Sequence, residues 1–343
     1  MSKTAVVILN YNGEKLLQQF LPSVVQHTQH ARIIVADNGS TDNSIEIIKV
    51  QFPSVEIIAL DKNYGFCGGY NKALAQINSD YYVLLNSDVE VTANWLEPMT
   101  HLLDQHSTIA AVQPKILTWH QKDQFEYAGA GGGFIDSWGY PFCRGRMFDF
   151  TEKDTGQYND TREVFWASGA CLLIRSDVYH DLGGLDETFF AHMEEIDLCW
   201  KIHRMSRQVF YCGASTVYHV GAGTLPRNNP KKTYYNFRNG LSLIYKHMPD
   251  AQRWYKIPVR ILLDMVAGLK FILEGNPKDG KAVFRAIKDF LGAKSHTKAE
   301  RTALRVRFAP NMSQVYDGMV ILDYYLLGKK NIPAEKLPPN NPR

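Results

Sequence analysis

Short apolar segments alternate with helical patterns between residues 5 and 85, and this alternation limits the fold more than any other feature of the chain. Strand-like segments occur at 5–9, 32–36, 55–60 and 81–85, with helical patterns between them at 13–27, 43–51 and 68–77. Repeated strand–helix–strand units of this length form a parallel sheet with helices on both faces. The sequence therefore predicts an α/β fold with a mostly parallel central sheet.

Polar side chains follow each of the four predicted strands. The residues at these ends are Asn10, Asp37, Asn63 and the run Asn86-Ser87-Asp88. Parallel strands end at the same edge of a sheet, and open α/β sheets bind their ligands beyond that edge. We therefore expect these side chains to line one binding site.

The rest of the chain divides at about residue 226. Between 110 and 226 the pattern is irregular, with a strand at 170–175, a helix at 194–207 and a strand at 209–212. Helical patterns then cover 233–248, 257–274, 281–291 and 315–327, which predicts a helical region over 227–332. Residues 333–343 contain adjacent prolines and adjacent asparagines and are predicted to form a disordered tail.

Cysteine usage and the N-terminal segment both favour a cytoplasmic protein. The five cysteines are scattered and form no C-x-x-C pair, which is typical of reduced thiols. The apolar segment at 5–9 is too short for the core of a signal peptide or for a membrane span.

Charge is distributed unevenly along the chain. Residues 1–226 carry a net charge of −10 and residues 227–343 one of +13. The basic region predicts an anionic partner, although a solvated basic surface is the alternative. Segment 257–273 is apolar but contains Arg260, Asp264 and Lys270, which argues against crossing a bilayer. We expect it either to lie on an anionic membrane or to be buried against the rest of the chain or in a homodimer.

Asp37 and Asp88 are candidate ligand-binding carboxylates. Asp37 begins a polar turn and suits the ring NH of a pyrimidine, unless the turn only caps the next helix. The carboxylate of Asp88, at the expected edge of the sheet, suits a hard divalent cation such as Mg²⁺ or Mn²⁺. His219 ends a later apolar strand and completes such a site if that strand reaches the same edge. A turn-capping aspartate and a packed histidine are the alternatives.

The run Glu194-Glu195-x-Asp197 begins a predicted helix. Acidic residues in a first turn are favoured by the helix dipole, which is the simpler explanation. However, Phe189 and Phe190 supply apolar surroundings that raise the pKa of a carboxyl group toward neutrality, as a general base requires. We favour catalysis, because the cluster is larger than a helix cap needs.

The glycine-rich segment 129–133 does not predict a phosphate-binding loop. It lacks a clear preceding strand, a following helix and an acidic residue about 20 positions later. No G-x-x-x-x-G-K-[ST] pattern occurs in the sequence. Dinucleotide-binding and P-loop chemistry are therefore disfavoured.

Seven short motifs, taken in order, resemble those of the family 2 glycosyltransferases, especially the bacterial rhamnosyltransferase-like branch. They are VVILNYNG at 6–13, DNGSTD at 37–42, NYGFCGGYN at 63–71, LLNSD at 84–88, SGA at 168–170, GLDETFF at 184–190 and EEIDLC at 194–199. The resemblance implies a GT-A-type nucleotide-diphospho-sugar transferase fold with a Rossmann-like N-terminal half. It implies a catalytic domain at 1–226, with a nucleotide-sugar-binding half at 1–110 and an acceptor and catalytic half at 111–226.

The resemblance also implies roles for individual residues. The nucleotide sugar would be bound by Asn10, Tyr11, Asp37, Asn63, Gly65, Phe66, Asn71, Asn86 and Ser87. Asp88 and His219 would hold a divalent cation, Mg²⁺ or Mn²⁺, and Glu195 would be the general base, with Glu194 as the alternative. Asn86 replaces the first acid of the family's D-x-D motif, so we expect weaker metal binding.

The implied reaction is inverting transfer from dTDP-rhamnose or a UDP-sugar to a saccharide or lipid-linked acceptor. The resemblance places it in bacterial cell-surface polysaccharide synthesis, on the inner face of the membrane, with no nucleic-acid partner. A sugar-nucleotide pyrophosphorylase is disfavoured, because segment 10–13 is not a glycine-rich basic loop. A retaining transferase stays open, and a non-catalytic membrane-associated adaptor leaves the carboxylates unexplained.

Overall fold

The computed structural model describes residues 3–221 and 229–340 and has a mixed α/β architecture. Within these residues the chain forms a nine-stranded sheet and a second sheet of four strands. The strands are β1 (Thr4–Asn10), β2 (Arg32–Asp37), β3 (Glu56–Ala59), β4 (Tyr81–Asn86), β5 (Val89–Val91), β6 (Ile109–Thr118), β7 (Gly133–Ile135), β8 (Pro141–Cys143), β9 (Arg146–Met147), β10 (Phe150–Thr151), β11 (Thr161–Val164), β12 (Cys171–Arg175) and β13 (Gln208–His219). The helices are α1 (Glu14–His27), α2 (Ser44–Gln51), α3 (Gly65–Leu74), α4 (Glu97–Gln105), α5 (Ser176–Asp181), α6 (Glu194–Arg204), α7 (Pro230–His247), α8 (Asp250–Leu273), α9 (Pro277–Gly292), α10 (Lys294–Arg307) and α11 (Val320–Tyr325).

The first four strands lie in the order β3-β2-β1-β4 and run parallel, as the sequence predicts. β1 and β4 are buried along almost their whole length, which explains their continuous apolar sequences. The register pairs Asn10 with Asp37 and Leu9 with Asn86. The polar ends Asn10, Asp37 and Asn86 therefore lie at one edge of the sheet.

Strand β13 joins two segments that the sequence predicts separately, one at 209–212 and one ending at His219. Its pairing with β6 shifts register between Cys212 and Thr216, and this irregularity interrupts the apolar pattern. The end of β13 pairs antiparallel with β5, so that His219 lies opposite Val89. This pairing brings His219 next to Asp88, the residue that precedes β5.

The C-terminal helices differ from the prediction in three places. Helix α8 begins at Asp250 rather than at 257, and α10 forms where no helix was predicted. Helix α11 covers only part of the predicted segment 315–327. Tyr316 instead forms a bridge with Asp136, whose carboxylate also accepts the amide N–H of Val320 at 2.9 Å.

Residues 333–340, predicted to be disordered, pack against the preceding structure. Leu337 is buried, and the guanidinium of Arg162 donates to the carbonyl of Pro338 at 2.8 Å. The amide N–H of Glu163 donates to the side chain of Asn340 at 2.8 Å. A single 3₁₀ turn at Ala334–Lys336 follows Pro333, and these distant partners fix the rest of the segment. Residues 341–343 of the predicted tail lie outside the described residues.

The C-terminal helices share a hydrophobic core with the preceding structure. Leu241 and Ile244 of α7 and Phe290 of α9 belong to the same buried cluster as Leu198 and Ile202 of α6. Helix α6 is therefore held between the sheet and the C-terminal helices. Over residues 3–221 and 229–340, no helix combines the length and apolar character needed to cross a bilayer.

Candidate active site

Asn10 and Asp37 form a buried hydrogen-bonded pair at the edge of the sheet. The side-chain amide of Asn10 donates to Asp37 Oδ1 at 2.9 Å and to Ser40 Oγ at 3.2 Å. The backbone N–H of Ser40 donates to Asp37 Oδ2 at 2.9 Å. Tyr11, the next residue, is 50% exposed. The arrangement fixes the carboxylate of Asp37 and leaves the ring of Tyr11 accessible beside it.

The second polar loop is organised by Asn38, which the sequence analysis did not single out. Its side chain donates to Asn63 Oδ1 at 3.1 Å and to the carbonyl of Gly65 at 3.0 Å. Gly65 has a φ of +71°, and a Cβ there would lie 3.1 Å from the ring of Phe190. A glycine is needed because the left-handed backbone and the aromatic ring leave no room for a side chain. The predicted donor loop therefore touches the segment that precedes Glu194.

The side chain of Asn71 is hydrogen-bonded within the protein and is not open to a ligand. Its Oδ1 accepts from the hydroxyl of Tyr179 at 2.7 Å and from the amide N–H of Leu185 at 3.0 Å. Its amide group donates to the carbonyl of Leu185 at 2.9 Å and to Glu187 at 3.2 Å. These bonds use the two donors and two acceptor positions of the side chain. Asn71 therefore fixes segment 185–187 and has no polar capacity left for a nucleotide.

Segment 168–170 connects the two halves of the predicted site. The backbone N–H of Asn86 donates to the carbonyl of Ala170 at 3.0 Å. A Cβ on Gly169 would lie 3.7 Å from the ring of Phe66 and 3.8 Å from the Cβ of Glu195. The strand end that carries Asn86-Ser87-Asp88 and the glutamate cluster thus flank the same three residues. Asp88 and Glu195 lie on the same side of the molecule.

Asp88, His219 and Glu126 form a buried row. His219 Nε2 lies 3.2 Å from Asp88 Oδ1, and His219 Nδ1 lies 3.5 Å from Glu126 Oε2. Burial by itself would lower the pKa of His219, but the two carboxylates raise it to about 10. Burial opposes ionisation of Glu126, yet its contacts with His219 and with backbone N–H groups lower its pKa. Glu126 belongs to no motif and was not predicted from the sequence.

The donor atoms of this row decide whether it can hold a divalent cation. Among the described residues, no group of three or more His, Cys, Asp and Glu side chains has the geometry of a complete metal site. Asp88 nevertheless offers one oxygen, and His219 would offer one nitrogen once a cation displaces the proton of Nε2. Glu126 Oε2 lies 3.5 Å from the other ring nitrogen. Two protein ligands suit a cation that takes its remaining ligands from a diphosphate and water.

Glu194 and Glu195 follow a strained loop. Phe190, His192 and Met193 all have positive φ values, of 64°, 68° and 74°. Side chains other than glycine adopt this conformation at a cost, which the surrounding structure must offset. After this loop α6 begins with Glu194 buried and Glu195 half-buried.

The two glutamates have strongly shifted pKa values. Burial raises the pKa of Glu195 to about 7. Burial and the neighbouring charge of Glu195 raise the pKa of Glu194 well above its usual value. Within the described part of the chain, the Oε2 atoms of both residues are buried without a hydrogen-bond partner. Glu195 thus has the pKa of a general base near neutral pH and an oxygen free to accept a proton.

The strained loop is held by helix α7. The side-chain amide of Asn239, which is fully buried, donates to the carbonyls of Phe189, Ala191 and His192 at 3.1, 2.9 and 2.7 Å. The adjacent Arg238 donates to the carbonyl of Phe189 at 3.0 Å. These contacts satisfy the carbonyl groups of the loop and fix its direction.

Asp197, the third acid of the cluster, has a different role from the glutamates. It is fully buried and lies 2.9 Å from the Nζ of Lys201, 3.0 Å from that of Lys246 and 2.7 Å from His247 Nε2. Although burial opposes ionisation, the two lysines and His247 hold its pKa well below the usual value. Asp197 therefore joins α6 to α7 electrostatically and is not available to a substrate.

Comparison with known protein families and curated proteins gives consistent results. The model described as Glycosyl transferase family 2 matches residues 5–183. The N-acetylglucosaminyl-diphospho-decaprenol L-rhamnosyltransferase of Mycobacterium tuberculosis is 24% identical over 275 residues, which cover 74% of this chain and 87% of that protein. The low-salt glycan biosynthesis hexosyltransferase Agl10 of Haloferax volcanii is 22% identical over 240 residues, which cover 68% and 73%.

Two solved structures share the fold at low sequence identity. GalNAc-T7 with UDP, GalNAc and Mn²⁺ has a TM-score of 0.57 and 17% identity; the match covers 73% of this chain but only 49% of that chain. TarS 1-349 of S. aureus has a TM-score of 0.55 and 15% identity, with coverages of 88% and 86%. At these identities the likeness establishes the fold alone.

Proposed function

The chain belongs to glycosyl transferase family 2 and has the GT-A fold, and we propose that it is an inverting transferase that acts in bacterial cell-surface polysaccharide synthesis. The donor is a nucleotide-diphosphate sugar, dTDP-rhamnose or a UDP-sugar, and the acceptor is a hydroxyl group of a saccharide or lipid-linked saccharide. The observation that carries the proposal is Glu195, a carboxyl group with a pKa of about 7 beside the polar edge of the sheet.

The donor is bound by the edge formed by β1, β2 and β4. The carboxylate of Asp37 is held by Asn10 and Ser40, and it accepts the ring N–H of a pyrimidine base. The half-exposed ring of Tyr11 covers the base or ribose. Asn63, Gly65 and Phe66 shape the wall toward the sugar, with Asn71 supporting that wall from behind.

Asp88 and His219 are the residues that would hold Mg²⁺ or Mn²⁺ next to the diphosphate. When bound, the cation neutralises the negative charge that develops on the departing nucleotide. Glu126 orients His219 from the opposite side of the ring. Asn86 and Ser87 precede Asp88 at the same strand end and contact the donor there.

Glu195 performs the proton transfer. Its carboxylate takes the proton of the acceptor hydroxyl while the hydroxyl oxygen forms a bond to the anomeric carbon. The bond between that carbon and the diphosphate oxygen breaks in the same step, with the electron pair leaving on the diphosphate. Attack opposite the leaving group inverts the anomeric configuration. Holding the two reactants in line supplies much of the acceleration.

The similarity to the M. tuberculosis rhamnosyltransferase supports dTDP-rhamnose as donor and a lipid-linked saccharide as acceptor. A lipid-linked acceptor places the reaction at the cytoplasmic face of the membrane. The experiment is a panel of dTDP-, UDP- and GDP-sugars measured by thermal shift with and without Mn²⁺. We expect stabilisation by one donor class that requires Mn²⁺ and is lost in Asp88→Ala. The absence of stabilisation by every nucleotide sugar would contradict the proposal, and NMR of the product anomer tests the inversion.

A further inference from the structure

Helix α8 has three buried charged residues on the side that faces the protein. Arg260 and Asp264 are buried and form an ion pair of 3.0 Å. The guanidinium of Arg260 also lies 3.4 Å from the centre of the Tyr140 ring. Lys256 is buried too and donates to the carbonyl of Ser137. Of the charges that argue against an apolar environment for this helix, Arg260 and Asp264 are satisfied inside the protein, whereas Lys270 is exposed and lies 3.7 Å from Glu274.

The opposite side of α8 is apolar and open to solvent. Trp254 is 74% exposed, Leu262 60% and Leu273 87%. The exposed apolar residues repeat every three or four positions and form one stripe: Trp254, Tyr255, Val259, Leu262, Met265, Val266, Leu269, Ile272 and Leu273. A helix of 24 residues is about 36 Å long, so the stripe is far larger than scattered surface apolar residues.

The end of α11 extends this apolar surface. The Nζ of Lys270 on α8 lies 4.6 Å from the centre of the Tyr325 ring, so the two helices are adjacent. Tyr325, Leu326 and Leu327 are 51%, 75% and 64% exposed. The stripe of α8 and these residues together are called the apolar face below.

A basic stripe lies beside the apolar face. Helix α9 approaches α8 so closely that a Cβ on Gly280 would lie 2.7 Å from the carbonyl oxygen of Gly268. The side chains of α9 that point away from both α8 and the core are exposed and cationic: Lys278, Lys281, Arg285 and Lys288. The exposed sides of the two helices therefore form one surface, apolar along α8 and basic along α9.

We propose that the apolar face and the basic stripe of α9 dock together onto an anionic phospholipid bilayer, with α8 lying in the plane of the interface. An apolar stripe flanked by lysine and arginine is the composition that binds such surfaces. Trp254 and Tyr255 supply the aromatic side chains that favour the headgroup region. The net charge of +13 over residues 227–343 attracts anionic lipid and opposes docking of a second copy through the same region.

Hydrogen bonds connect the docking surface, through helix α7, to the predicted acceptor side of the site. Asp279 and Asp289 of α9 accept hydrogen bonds from Thr233 at 2.5 Å and from Tyr234 at 2.8 Å. Both partners belong to α7, the helix whose Asn239 holds the loop before Glu195. Docking would therefore present the acceptor side to lipid, a consequence that rests on the proposed function; the membrane contact itself does not.

The test is flotation of the full chain with vesicles of phosphatidylcholine alone and of phosphatidylcholine with phosphatidylglycerol. We expect binding only to the anionic vesicles, weakened by salt. The double variant Leu262→Glu/Leu269→Glu should abolish it, and Lys281→Glu/Lys288→Glu should weaken it by about 30-fold or more. All four side chains are exposed, so the variants should remain folded. The matched control is Val50→Glu on α2, at a side chain that is 69% exposed and distant in sequence.

Three results would overturn the proposal. These are no binding to anionic vesicles, equal binding to neutral vesicles, and a dimer in light scattering that Leu262→Glu/Leu269→Glu dissociates. The last result would assign the apolar face to a second copy of the chain. Thermal stabilisation by the nucleotide sugar is also measured for these variants, and it should be unchanged. A failed flotation test with normal stabilisation then contradicts the membrane contact and leaves the proposed function intact.

Discussion

The side-chain amide of Asn239 donates to the carbonyl of His192 at 2.7 Å, three residues before Glu195. This bond and the two that Asn239 makes to Phe189 and Ala191 cross from helix α7 to the loop in which three residues have positive φ. The position of the proposed base is therefore determined by a residue outside the segment that matches the family model.

Replacement of Asn239 should impair turnover more than donor binding. Asn239→Ala removes the side-chain donor of the Ala191 and His192 carbonyls, while Phe189 keeps its bond from Arg238. The strained loop can then relax, which should lower kcat about 10- to 100-fold. The Kd for the nucleotide should stay within about threefold, because the bonds of Asn10 and Asp37 are untouched. Because Glu195 would become more exposed, the pKa in the pH–rate profile should also fall from about 7 toward the usual value for a carboxyl group.

The control for Asn239 is Asn311→Ala. Asn311 makes the same kind of bond at the other end of α6, from its amide group to the carbonyl of His203 at 2.7 Å. Its loss should reduce stability without changing the pH–rate profile. If both variants lower kcat and leave the profile unchanged, the effect of Asn239 is general destabilisation rather than positioning.

The pH dependence of the reaction follows from the shifted pKa of Glu195. The carboxyl group must be ionised to take a proton, so kcat/KM should rise with pH and level off above an apparent pKa of about 7. The value belongs to the Glu194–Glu195 pair, since the two groups interact. A profile measured with saturating Mn²⁺ tests this. Activity that is constant from pH 5 to 8 would exclude Glu195 as the base.

Asp197→Asn should destabilise the protein strongly. The substitution removes the negative charge that Lys201, Lys246 and His247 share in a fully buried site, and it should cost about 3 kcal/mol in the free energy of unfolding. Urea unfolding at pH 7 measures the change. Asp123→Asn, which breaks an exposed ion pair with Lys153, is the matched control and should leave the free energy of unfolding nearly unchanged.

Several parts of the site could be predicted from the sequence because each depends on local rules. Asn10, Asp37 and Asn86 follow apolar strands, and the parallel arrangement then brings them to one edge. The pKa shift of Glu195 was expected from its apolar neighbours, and burial is its main cause. Periodicity alone does not tell which side of a helix faces the protein. The sequence of segment 257–273 was therefore compatible with a membrane surface, with burial against the rest of the chain and with a dimer interface.

Other parts depend on contacts that leave no pattern in the sequence. Glu126 belongs to no motif, and it joins the site because β6 pairs both with β13 and with the segment around Phe125, which brings Glu126 to His219. Asn239 acts on a loop 47 to 50 residues earlier in the chain. Asn71 matches a family motif, yet its four bonds go to Tyr179, Leu185 and Glu187 and fix segment 185–187. In each case the tertiary structure decides the role.

The central claim is that Glu195 is the base that activates the acceptor, and the most direct measurement compares Glu195→Gln with Glu194→Gln. Turnover and nucleotide affinity are measured for both, with unfolding at pH 8 as a control for folding. Neutral Gln should not destabilise the fold, because burial already disfavours the ionised carboxyl group. The account predicts that Glu195→Gln loses about 10²-fold or more in turnover and retains nucleotide binding, with a smaller loss in Glu194→Gln. Unchanged turnover in Glu195→Gln would contradict it.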